Sequence, residues 1–205
     1  MRPNRHLILF AKAPMLGRVK RRLAAEVGEV EALRFYRATL ARLIRRLGGD
    51  RRWTARLVLS PDGVAANGFP GMAANAVFAQ GSGDIGTRMG RAIAACPPGP
   101  ALLIGADIPD VTPAHIARAF AALRGHDLVF GPAADGGFWL VGASESGRRK
   151  LVFADGIRWS SAHALADTRA GLPAGTSVVL ADTLEDVDTA AALARWRAQT
   201  PVRSR

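Results

Sequence analysis

Short apolar runs alternate along the chain with longer segments in which apolar residues recur every three or four positions. The runs rich in Val, Leu, Ile and Phe predict strands at residues 6–12, 55–60, 76–80, 101–107, 127–131, 138–142 and 177–181. Between residues 29 and 47, Leu33, Tyr36, Leu40, Leu43, Ile44 and Leu47 form one apolar stripe at helical spacing, and Gly48 and Gly49 end it. Further helices are predicted at 85–95, 113–123, 160–170 and 189–198. Thr112 can cap the third of these and Pro113 suits its first turn. Strand and helix in alternation predict a mainly parallel sheet covered on both faces, a three-layer α/β/α domain. The alternation breaks at 127–142, where two strand-like runs meet across PAADGG, so one strand there is expected to run antiparallel.

The length of 205 residues allows one domain with a full core, expected at 1–198, with a frayed basic tail at 199–205. The opening MRPNRHLILFAKAP reads as a first strand and not as a leader, because its apolar run stops at Lys12 without a small-residue cleavage site. No apolar run reaches the roughly 18 residues of a membrane span. A single cysteine, Cys96, forms no internal disulfide and fits a reducing cytoplasm, with an inert thiol. The formal charge of +11 favours anionic partners without choosing among them. Arg34, Arg37, Arg45 and Arg46 fall on the long helix, where a solvated polar face accounts for them.

In an open α/β sheet, ligands collect beyond the carboxyl ends of the strands, so polar residues there are the first candidates. After the first strand, AKAPMLGRVKRRL combines Pro14 and Gly17 with Lys12, Arg18, Lys20, Arg21 and Arg22. That loop is either a cradle for a di- or triphosphate or a basic surface turn. Gly81 to Gly86 reads GSGDIG and satisfies the dinucleotide expression, but it follows an internal strand and carries Asp84 where a pyrophosphate would lie. A flexible turn before a helix is the simpler reading. Asp107 ends the fourth strand, where it either holds a hard divalent cation or fixes the turn, while Asp110 is expected to help cap the next helix. Asp135, before Gly136 and Gly137, is either a base or a turn former. In LEDVDTAAAL, Asp188 or Thr189 is a natural cap for the last helix.

Together FAKAPMLGRVKRRLA, QGSGDIGTRM, LLIGADIPDVTP, FGPAADGGFWLVG, GIRWSS and DVDTAAAL resemble, in order and over nearly the whole chain, a bacterial family of small GT-A-like transferases. That family is often labelled radical-SAM/selenodomain-associated and is linked to arsenosugar-type glycosyl transfer. The chain is more distantly similar to phospholactate guanylyltransferase and molybdenum-cofactor guanylyltransferase. The resemblance implies a single GT-A-like, nucleotide-diphospho-sugar transferase domain. It implies that Lys12, Gly17, Lys20 and Arg22 form the nucleotide-side loop, that Asp84 and Arg88 approach it, and that Asp107 is the metal-linked acid. Asp135 would face the acceptor, and Asp186 or Asp188 would complete the acidic cluster. The chain departs from the family in reading Lys20, Arg21, Arg22, Leu23 where K-T-R-L is usual, and in placing Ala106 where Ser is common. Its Asp107 and Asp110 form D-x-x-D, not D-x-D.

The expected activity is transfer of a sugar from a nucleoside-diphosphate sugar to a small acceptor, aided by Mg²⁺ or Mn²⁺. The alternative within the same fold is nucleotidyl transfer from an NTP with release of pyrophosphate. A basic nucleic-acid-binding module is the alternative from another class, although no helix-turn-helix, zinc-ligand or RNP-like pattern supports it.

Overall fold

In a computed structural model, the chain is described over residues 4–65 and 69–199. Of the expected tail, 200–205 lie outside the described residues, and Gln199 ends the last helix. Among the described residues seven strands form one sheet: β1 (His6–Lys12), β2 (Thr54–Ser60), β3 (Val77–Ala79), β4 (Ala101–Gly105), β5 (Leu128–Pro132), β6 (Phe138–Ala143) and β7 (Val178–Leu180). The helices are α1 (Arg21–Val27), α2 (Glu29–Leu47), α3 (Asp62–Ala65), α4 (Ile85–Ala94), α5 (Pro113–Ala122), α6 (Ala164–Ala170) and α7 (Ala190–Gln199). The order across the sheet is β3-β2-β1-β4-β6-β5-β7. All neighbours are parallel except β6, which runs antiparallel to both β4 and β5, as the broken alternation predicts.

The sheet's two faces follow from the two-residue period of its strands. Leu7, Leu9 and Ala11 of β1 join Leu57, Leu59, Leu102, Ile104 and Leu140 beneath α2 and α5. Ile8, Val58, Leu103, Phe130 and Val141 point the other way, against Met89 and Ile93 of α4. A third, smaller cluster joins Leu23 of α1, Phe35 of α2 and Leu193 of α7 around Val187. It ties the segment after β7 to the segment after β1, at the sheet edge where the strands' carboxyl ends emerge.

Three sequence expectations need correction. The stretch after β1 is not loop throughout, because α1 occupies Arg21–Val27 and packs on α2 through Leu23. The helix expected from residue 160 begins at Ala164, since Ser160 has a left-handed backbone with φ 58° and Ser161 Oγ donates to the Arg158 carbonyl at 2.6 Å. The cap expected on α5 is present, with Thr112 Oγ1 accepting from His115 N and Pro113 opening the helix. Asp110 takes no part in that cap; its Oδ1 accepts from Trp196 Nε1 at 3.0 Å, which ties α7 to the loop after β4.

Candidate active site

The carboxyl ends of β1 and β4 lie side by side, with Phe10 opposite Gly105. Lys12, the last residue of β1, and Asp107, two residues past the end of β4, each follow two positions beyond that pair and so lie at neighbouring points of this end of the sheet. Lys12 is exposed, and its backbone is held at both ends: Tyr36 Oη accepts from Lys12 N and donates to Lys12 O, each at 3.0 Å. Burial, then the charge of Asp107, pushes the Tyr36 phenol above its usual range, so the hydroxyl stays neutral and available for both bonds. The loop then turns through Gly17, whose φ of 69° suits glycine, with the Glu29 carboxylate close behind.

Lys20 sits at the centre of the acidic residues. Its backbone is left-handed, φ 46° and ψ 49°, a conformation costing a non-glycine residue on the order of 1 kcal/mol. Its side chain is 4% exposed, and its Nζ lies 2.6 Å from Asp188 Oδ1 and 3.5 Å from Asp107 Oδ2. Burial disfavours the ammonium, but Asp107 and Asp188 outweigh it and hold the amine above its ordinary value. Arg22 closes on the other oxygen of Asp188 at 2.6 Å. Asp188 is therefore committed to two cations, whereas Asp107 is 47% exposed and, among the described residues, its ion pair is the looser one to Lys20. Asp186 makes no ion pair among the described residues. Burial, then the neighbouring Asp188 carboxylate, raises it to about 6, with Asp135 and Asp107 adding to the rise and Lys20 opposing it.

Four expected acids, Asp107, Asp135, Asp186 and Asp188, thus come into one electrostatic neighbourhood with Lys20 and Arg22. Asp135 is exposed, and its Oδ1 accepts from Gly137 N at 3.0 Å, the bond of a turn former. Gly136, φ 86°, lets this turn press against the segment before α6, where an added Cβ would meet the Ala162 carbonyl oxygen at 2.2 Å. Thr189, not Asp188, caps α7, accepting from Ala192 N at 3.1 Å.

Asp84 and Arg88 stand across the sheet on α4. Asp84 caps that helix, accepting from Thr87 N at 2.7 Å; that bond, with help from the Thr87 hydroxyl and the Trp159 indole, holds its carboxyl below the usual range. Arg88 is linked to β1 through Gln80, a residue the sequence reading did not single out. The glycines of GSGDIG have local explanations. Gly81 and Gly83 have φ of 75° and 102°, and a Cβ on Gly86 would lie 2.7 Å from the Trp159 ring and 2.8 Å from Phe153. Trp139 is core, 3% exposed with its indole N–H on the Asp182 carbonyl.

Hard carboxylate oxygens are the donors that Mg²⁺ or Mn²⁺ prefers. A divalent cation would also offset the burial and the carboxylate repulsion that together raise Asp186, so the donor chemistry fits one. Among the described residues, however, no three acidic, histidine or cysteine side chains are gathered closely enough to hold an ion, with Lys20 standing between them. Two open surface depressions, one at Arg169, Pro173 and Thr176 and one at Pro100, Ser144 and Arg149, share no residue with this cluster. No helix among the described residues is long and apolar enough to cross a membrane.

The sheet order with β6 reversed, and the acids and cations beyond its carboxyl ends, define a single-domain α/β protein of the nucleotide-diphospho-sugar transferase (GT-A-like) fold. The sequence profile of a family described as an uncharacterized protein conserved in bacteria (DUF2064) matches residues 43–161, more than half of the chain, and the chain belongs to that family. Among solved structures it is similar to a protein from Desulfovibrio desulfuricans G20 provisionally named a nucleotide-diphospho-sugar transferase. That similarity has a TM-score of 0.79 and 27% identity, covering 98% of this chain and 90% of the other. It is also similar to Rv0371C of Mycobacterium tuberculosis H37Rv, solved as a complex with manganese (TM-score 0.55, 19% identity, 96% of this chain and 99% of the other). A third similar structure is 4-diphosphocytidyl-2C-methyl-D-erythritol synthase from Anaerococcus prevotii DSM 20548 (TM-score 0.58, 10% identity, 97% and 99%). At such identities the last two speak for the fold alone. Among curated proteins, no relative matches the chain.

Proposed function

We propose that the protein is a metal-dependent transferase that moves a sugar from a nucleoside-diphosphate sugar to the hydroxyl of a small acceptor. The observation that carries this reading is the buried Lys20 ammonium, set among Asp107, Asp186 and Asp188 with Arg22 on Asp188, in a stretch of chain that also carries Lys12 and Arg18. Its similarity to a protein named as a nucleotide-diphospho-sugar transferase supports it. A fixed positive charge there favours a diphosphate that gains negative charge as it departs, and it does so without reorganising during the reaction.

In this reading Asp107 and Asp186 hold Mg²⁺ or Mn²⁺, since Asp188 is already engaged by Lys20 and Arg22. The ion supplies Lewis-acid stabilisation of the phosphate oxygens. Lys20, Arg22 and Lys12 bind the diphosphate, and Gly17 keeps the loop's backbone close to it. The bond between the anomeric carbon and the diphosphate oxygen breaks, and its electron pair leaves with the diphosphate. The acceptor oxygen bonds the anomeric carbon, and Asp135, exposed at the rim, takes the hydroxyl proton.

Incubation with Mg²⁺ or Mn²⁺ and a panel of NDP-sugars or NTPs tests the reading. Release of free NDP from an NDP-sugar is the expected result. Pyrophosphate release from an NTP would replace glycosyl transfer by nucleotidyl transfer at the same site. Binding of nucleic acid with steep salt dependence, and of no nucleotide, would reject both.

A further inference from the structure

Gln80 lies just beyond β3 and is 2% exposed, yet every polar atom of its amide is engaged. Its Nε2 donates to the Ala11 carbonyl of β1 at 2.8 Å and to the Val58 carbonyl of β2 at 3.3 Å. Two carbonyl acceptors fix the amide's orientation, so Oε1 must face the other way, where it accepts from Arg88 Nη1 at 2.7 Å. Arg88 Nε is held in turn by the Asp84 carbonyl at 3.2 Å. The guanidinium is thus oriented by two neutral oxygens and, among the described residues, pairs with no carboxylate. Arg91 holds the same turn from below, donating to the Gln80 and Ser82 carbonyls at 2.9 and 3.0 Å. A glutamate at position 80 would repel both strand carbonyls and neutralise Arg88; a glutamine bonds all three partners and leaves the positive charge whole.

Ala11 immediately precedes Lys12, so one buried amide couples the end of β1, where the basic loop begins, to a cation on α4, the helix on the sheet face opposite α2. We propose that Gln80 is a positioning residue that presents the Arg88 guanidinium to the phosphates of the donor. This rests on the nucleotide reading above. Gln80 itself touches no ligand; it sets where Arg88 points and keeps the charge of Arg88 available, which suits the planar fork of a guanidinium to phosphate oxygens.

The test is calorimetric titration of inorganic pyrophosphate, with Mg²⁺ present, into the wild-type protein, Gln80→Leu, Arg88→Met and the double variant, each checked by its unfolding midpoint. Both single variants are expected to bind at least fivefold more weakly, and the double variant no more than twofold more weakly than Arg88→Met alone. Losses that multiply in the double variant would mean that Gln80 acts other than through Arg88, and would overturn the proposal. If Gln80→Leu does not fold, Arg88→Lys decides: it keeps the charge but not the fork, and is expected to lose at least fivefold. Wild-type affinity in Arg88→Lys would overturn the proposal with the nucleotide reading left standing. Absence of pyrophosphate binding by the wild type would overturn the nucleotide reading and this inference with it.

Discussion

Replacing Asp186 by asparagine isolates the electrostatic strain of the acidic cluster from its chemistry. Asp186 makes no side-chain hydrogen bond or ion pair among the described residues, so asparagine removes the charge and little else. Its carboxyl is raised from 3.8 to about 6, first by burial and then by Asp188. An acid whose folded value lies above its unfolded value destabilises the fold once ionised. The penalty is absent below the unfolded value, grows as pH rises, and is complete above the folded value. A rise of this size corresponds to about 3 kcal/mol at neutral pH. Partial solvent access to the group reduces that to about 1–2 kcal/mol. At pH 4.5 only about a third of it remains. In EDTA, urea unfolding at pH 7.5 should find Asp186→Asn more stable than wild type by about 1–2 kcal/mol, a midpoint gain of about 3–6 °C in a thermal scan. The gap should narrow at pH 4.5. A variant less stable than wild type at pH 7.5, or a gap independent of pH, would refute the placement of Asp186 among uncompensated carboxylates. Saturating Mn²⁺ should reverse the order, because the ion stabilises only the protein that retains its ligand.

Tyr36→Phe removes the hydroxyl that bonds both the N–H and the carbonyl of Lys12, and should cost about 1–2 kcal/mol in denaturant unfolding; an unchanged midpoint would show that the start of the basic loop is held otherwise. Gly136→Ala drives a Cβ into the Ala162 carbonyl at a φ of 86°, so it should destabilise by at least about 2 kcal/mol and displace Asp135. Turnover equal to wild type in a stably folded Gly136→Ala would remove Asp135 from the reaction. Lys20→Met withdraws the cation from Asp107 and Asp188 and should weaken pyrophosphate binding at least tenfold, measured by calorimetry; undiminished affinity would place the diphosphate elsewhere.

The strands were legible because buried parallel strands are written as nearly continuous apolar runs, and the long helix because its stripe runs unbroken from Leu33 to Leu47. The antiparallel β6 followed from the short PAADGG connection, too short for a crossover helix. Helix α1 was not legible, since its seven residues bury only Leu23 and its arginines read equally well as loop. At the site, the acids and Lys20 stood out by type and by their place after strands. Their division of labour did not, because which carboxylate meets Lys20 depends on the packing of α1 and α7 around Val187. The roles of Gln80 and Tyr36 escaped notice for the same reason: each acts on backbone atoms of β1 brought near only by tertiary packing. A polar residue closing the predicted strand 76–80, directly before GSGD, was the available signal for Gln80.

In the proposed function, Asp107 and Asp186 clasp a divalent ion beside Lys20. Titration of Mn²⁺ followed by electron paramagnetic resonance, on the wild type and on Asp107→Ala with an unchanged unfolding midpoint, tests it most directly. The wild type should bind one ion, more tightly with added nucleoside diphosphate, and Asp107→Ala should bind it at least tenfold more weakly. Equal binding by the two proteins, or none by the wild type at millimolar Mn²⁺, would contradict it.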